Sequence, residues 1–118
     1  MLLNIIRYSL YNIASNTELI EGNIIKTVPD YVKQHPELRI SLLHLDCTVY
    51  KPTLVALENF YDKMLQGGII LLNGYGKENV EGETDAVEDF FELECPRIRR
   101  LPFAFSPCYI VKKDILGI

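Results

Sequence analysis

Asp46 and Asn73 are the residues best placed for chemistry, because each directly follows an apolar run that reads as a strand, 40–45 and 69–72. Between the runs, residues 52–65 carry a helical stripe of Leu54, Leu57, Tyr61 and Met64 or Leu65. Pro52 falls in the first turn, where its missing N–H costs nothing. Gly67 and Gly68 read as the end of that helix. Two near-continuous apolar strands joined by a crossover helix imply a parallel pair buried on both faces. Ligands of open α/β sheets sit outside the carboxyl ends of such strands. Chemistry is therefore expected at 46–50 and 73–75. Asp46 can serve there as a base or ligand, or it can cap the turn into the next helix. Asn73 and Gly74 also form a favoured turn pair.

Other reactive side chains read as structural. His44, between Leu43 and Leu45, is expected to be a core histidine or one covered by a helix rather than a catalytic base, and His35, before Pro36, lies at the surface. Cys47, Cys95 and Cys108 are odd in number and have no zinc-ligand spacing, so free thiols are expected.

The remaining elements can be read in order. Leu3, Ile6, Leu10 and Ile13 form a helical stripe over 3–14. Residues 18–21 read as a short strand, turned by Gly22 and Asn23. Thr27 is the expected N-cap of a helix over 27–34 that stops before Pro36. After Tyr75 comes a polar, acidic loop. Thr84 is the expected cap of a helix with Val87, Phe90 and Phe91 on its apolar face. Residues 98–113 read as an antiparallel hairpin around Phe105, Ser106 and Pro107. This alternation predicts an α/β domain, mostly parallel, with an antiparallel edge.

Bulk properties remove several function classes. The chain has 118 residues, the length of one domain, and its 48% apolar content supports a packed core. A net charge of −4 with no basic run beyond Arg99 and Arg100 argues against nucleic acid as a partner. No apolar stretch approaches the about 18 residues that cross a bilayer. The start lacks a charged segment ahead of its apolar residues, so a cytoplasmic protein is expected.

Several segments, in order, resemble the macrocin O-methyltransferase family of class I S-adenosylmethionine-dependent methyltransferases. LIEGNIIKTVPDYV is similar to that family's strand, glycine and "TLP" segment. LHLDCTVYKPTLVALE is similar to "LDxDxYxST…AL", LQGGIILLNGYG to "GGxxxxDDYG", and GETDAVEDFF to the helix that follows. The resemblance implies a Rossmann-like methyltransferase sheet, S-adenosylmethionine as donor, a sugar hydroxyl as acceptor, and Mg2+ held by strand-end carboxylates. It places Asp46 in the catalytic and metal site with Asn73 as the other metal position, and Glu21, Gly22 and Asn23 beside the cofactor.

Two departures shape the expectations. The family's second aspartate is Thr48 here, and its "DD" pair is Asn73 and Gly74. No GxGxxG-like run is present, and the family's first two strands have no counterpart. Residues 1–118 are thus expected to form a single incomplete domain, truncated or degenerate and inactive alone. The alternative is a non-enzymatic α/β interaction module acting through oligomerisation. The family sheet order, 3-2-1-4-5-7-6, would leave a gap where strands 1 and 2 belong. Residues 18–21 are expected to fill it by pairing with 40–45. One sheet face would remain bare and be covered in a homodimer, or a partner chain would supply the missing strands.

Overall fold

The computed structural model describes residues 16–78, 81–94 and 96–113. The expected helix over 3–14 and Cys95 lie outside them. Residues 17–21 form no strand. Leu19 and Ile20 are about half exposed, and among the described residues no strand lies beside them to pair their backbone. The stretch is tethered instead by the Tyr31 hydroxyl, which donates to Glu18 Oε2 at 3.2 Å.

Helix α1 spans Ile24–Gln34 and begins three residues before the expected start. Asn23 is its cap: its side-chain oxygen accepts the Ile25 N–H at 3.0 Å, satisfying one of the orphan donors at a helix start. Pro29 therefore sits inside the helix. Its end follows expectation. His35 takes non-helical backbone angles, as Pro36 requires of the residue before it.

Strand β1 is Ile40–Leu45, as the apolar run predicts. Helix α2 covers Tyr50–Phe60 and passes through a 3-10 turn at Tyr61–Lys63. Strand β2 then runs Met64–Leu72, five residues earlier than expected. Gly67 and Gly68 do not end a helix; they bend this strand. Gly67 has φ +83°, and a Cβ on Gly68 would lie 2.8 Å from the Leu65 carbonyl oxygen and 3.2 Å from that of Ser41. The ladder with β1 slips at this point, between Ile40 and Leu42, as a bulge does. The end of α2 is also capped differently. Lys112 Nζ donates to the Tyr61 and Met64 carbonyls at 2.8 and 3.1 Å and lies over the Tyr61 ring.

Helix α3 is Glu81–Phe91, starting before Thr84. Strands β3 (Arg99–Arg100) and β4 (Cys108–Val111) form the expected antiparallel pair. The four strands make one sheet of order β1-β2-β4-β3. β1 and β2 are parallel, whereas β2/β4 and β4/β3 are antiparallel, so the sheet is mixed rather than mostly parallel. The predicted pairing of 18–21 with 40–45 is absent, and among the described residues β1 is bonded on its β2 side only.

The core lies between the sheet and its helices. Leu43, Leu45, Ile70, Leu72, Cys108 and Ile110 face Ala56, Leu57 and Val87. Tyr61, Phe90 and Phe91 close one side edge-to-face, with centroids 4.9–5.5 Å apart, the arrangement their ring quadrupoles favour. The opposite face carries the alternate residues, as a period of two demands. There Leu42 is 58% exposed, Ile69 is 36% exposed and His44 is exposed. His44 is thus not the core histidine that its apolar neighbours suggested. Among the described residues, no helix is long and apolar enough to cross a membrane.

Candidate functional site at the strand ends

β1 and β2 deliver Asp46 and Asn73 side by side. Asn73 Nδ2 donates to Asp46 Oδ1 at 3.0 Å, and the Asn73 backbone N–H bonds the Leu45 carbonyl at 3.1 Å. The Ser106 hydroxyl donates to the Asn73 carbonyl at 2.8 Å, tying the β3–β4 connection to the same point. Asp46 is exposed and is not the cap of α2; the cap position of that helix is Val49, with no side-chain bond.

The chain leaves Asp46 through a tight turn. The Val49 N–H bonds the Cys47 carbonyl at 2.7 Å, and Thr48 lies between them at φ +62°. A β-branched residue in the left-handed region is an outlier. Its Oγ1 donates to the Cys47 carbonyl at 2.7 Å, so this hydroxyl is turned inward on its own turn. Thr53, fully buried, donates to the Val49 carbonyl at 2.7 Å. Tyr50 donates to Asp89 Oδ2 at 2.6 Å, joining α2 to α3; this bond is the main reason the phenol is held above its usual range.

A third residue belongs to the site: Glu83, on α3. Its side chain is fully buried. Oε2 accepts the Gly74 N–H, while Oε1 has no partner among the described residues. Burial pushes this carboxyl up; the Gly74 N–H opposes that, the nearby Asp46 charge adds to it, and Lys77 opposes it. Burial, followed by the Glu83 charge, also raises the half-buried Cys47 thiol. Cys47 and Cys108 are free thiols, as expected. Next to Glu83, Thr84 accepts the Gly76 N–H at 2.9 Å, so it holds the loop rather than capping the helix. A readable signal for Glu83 exists. It lies three, four and seven residues before Ala86, Val87 and Phe90, on the apolar stripe of α3.

These groups do not fit a magnesium ion. That ion takes oxygen ligands from carboxylates, substrate and water. Asn73 turns its amide nitrogen, not its oxygen, to Asp46, and Glu83 is bound to Gly74. No group of three or more His, Cys, Asp or Glu among the described residues could hold a metal. Glu21, Gly22 and Asn23, the residues expected beside the cofactor, are exposed, and Asn23 spends its side-chain oxygen on α1. The adjacent groove is lined by Glu18, Ile20, Thr27, Val28, Tyr31 and Phe60, not by those three.

The macrocin-O-methyltransferase (TylF) family model matches residues 4–95. The chain belongs to this family. The chain is also similar to the apo structure of CalS11, a TDP-rhamnose 3'-O-methyltransferase of calicheamicin biosynthesis. The TM-score is 0.75 at 29% identity over 79% of this chain. A second CalS11 structure, of the calicheamicin methyltransferase, gives the same TM-score, identity and coverage. The chain spans 40% and 36% of the lengths of those two proteins. No curated protein matches it.

Proposed function

We propose that this macrocin O-methyltransferase family member contributes the acceptor-side strand ends of a sugar O-methyltransferase and is inactive alone. The observation that carries this reading is the state of the strand ends. The carboxylate and amide at the metal position are bonded to each other, and Glu21, Gly22 and Asn23 are exposed. In a complete enzyme, exposed Asp46 would accept a hydrogen bond from the sugar hydroxyl, while strands from elsewhere would hold the cofactor. The edge of β1 that is unpaired among the described residues is where such strands would pair. The free Cys47 and Cys108 thiols suit a cytoplasmic protein. Titration calorimetry with S-adenosylmethionine tests the reading: no binding at micromolar concentration is expected. Low-micromolar binding would show a cofactor site within this chain and refute it.

A second reading is favoured by the bare sheet face around Leu42 and Ile69. Here the chain is an interaction module whose uncovered face is buried in a homodimer. Contiguous exposed apolar surface of this kind marks association sites. Light scattering at micromolar concentration should then give twice the chain mass. A monodisperse monomer would remove this reading and leave the first intact.

A further inference from the structure

Gly74 and Glu83 fit one another as a space and its filling. An ideal Cβ on Gly74 would lie 2.5 Å from Glu83 Oε2 and 3.4 Å from its carboxyl carbon. Gly74 does not have a positive φ, so its backbone does not itself demand glycine. What demands it is the carboxylate. Glu83 enters this space from the first turn of α3, is fully buried, and uses Oε2 to accept the Gly74 N–H. Position 74 is also the second residue of the strand-end pair where the family pattern has an aspartate.

We propose that the Glu83 carboxylate occupies the space of a side chain at position 74, making the end of β2 a metal-independent junction with α3. The negative charge is thereby retained at the strand end but arrives from the opposite element and faces inward, onto a backbone N–H. A donor turned that way is lost to an ion in front of the strands. This accounts for both halves of the mismatch with magnesium: Asp46 Oδ1 is engaged by an amide and Glu83 Oε2 by the Gly74 N–H. The junction also supplies a partner for a buried N–H, which would otherwise cost free energy to leave unpaired. The proposal concerns how the strand end is held, and it stands whether or not the assembled protein transfers methyl groups.

A double-mutant cycle tests it. Gly74→Ala should lower Tm by several degrees, because the new Cβ collides with Glu83. Glu83→Ala should also lower Tm, through a void and an unpaired N–H. The double variant Gly74→Ala/Glu83→Ala should lose clearly less than the sum, since the methyl group enters the vacated space. Additive losses would overturn the proposal. A second measurement is independent of those variants folding. The Gly74 amide proton of the wild type should move upfield in Glu83→Gln, an amide being a weaker acceptor than a carboxylate; an unmoved resonance would count against the bond. Manganese(II) provides the third. No manganese-dependent rise in wild-type Tm is expected, whereas a rise that disappears in Glu83→Gln would make Glu83 a metal ligand and sink the idea.

Discussion

The two faces of this sheet are built from the same kinds of residue and meet different surroundings. On the helical side, Leu57, Ile70, Leu72 and Ile110 are fully buried. On the other side, Leu42 and Ile69 stand in solvent although they alternate with core residues along the same strands. A half-exposed strand normally alternates apolar with polar, whereas strands covered on both faces are apolar throughout. β2 ends GGIILL, the second pattern, and β1 reads ISLLHL, which departs from it only at Ser41 and His44. The sequence is therefore suited to a sheet with two covered faces, and the described helices cover one. The difference shows that these strands carry more apolar surface than the described helices cover.

The largest expected effect separates the faces directly. Leu57→Ala should cost about 2–5 kcal/mol, the range for a buried leucine truncated in a packed core. Leu42→Ala should cost less than about 0.5 kcal/mol in the isolated chain, as surface changes do. Urea denaturation measures both. Equal losses would mean that the open face is covered in solution.

The next concerns what covers it. If a second copy does, Leu42→Glu with Ile69→Glu should convert a dimer into a monomer by light scattering while leaving the urea midpoint of the monomer nearly unchanged. A dimer that survives both substitutions would place the interface elsewhere.

A smaller effect is set by pH at the buried carboxyl. The Glu83 pKa is raised in the folded state, chiefly by burial. Its contribution to stability is thus fully present below the unfolded-state pKa and is lost as pH rises through the folded value. Glu83→Gln cannot ionise and escapes that loss. The variant should be the more stable protein at neutral pH, and the advantage should shrink as the solution is acidified. A stability difference that does not vary with pH would show that Glu83 is not destabilised by ionisation.

How much of this was legible follows from particular residues. The run 40–45 became β1 unchanged, because six apolar-rich residues bounded by Arg39 and Asp46 leave little else to form. Asp46 and Asn73 met, because adjacent parallel strands bring their carboxyl ends together. Gly67 and Gly68 misled, since paired glycines signal a helix end and a strand bulge equally well; only the ladder on both sides of β2 decides. Asn23 was visible as a turn residue, but its role as a cap depends on which residues after it are helical. Residues 18–21 have strand-like composition but no strand beside them among the described residues, and pairing is not a local property. Glu83 escaped notice because a glutamate near a helix start is ordinarily a solvated residue favoured by the helix dipole. Its burial is decided by Gly74, nine positions earlier in the chain.

The smallest expected effect belongs to Asp46, the residue with the strongest claim from sequence. It is exposed, and its described hydrogen bond is the one from the Asn73 amide. An exposed bond of this kind contributes at most about 1 kcal/mol, since water replaces either partner readily. Asp46→Ala should therefore shift the urea midpoint only slightly. Magnesium should not enlarge the difference. A specific ion present at a hundredfold excess over its Kd would add roughly 2.7 kcal/mol to the folded state, several times what the hydrogen bond supplies. A Tm increase in millimolar magnesium that vanishes in Asp46→Ala would thus stand well clear of the structural effect. It would show that the Asn73 amide can turn its oxygen outward and that the strand ends still bind the ion.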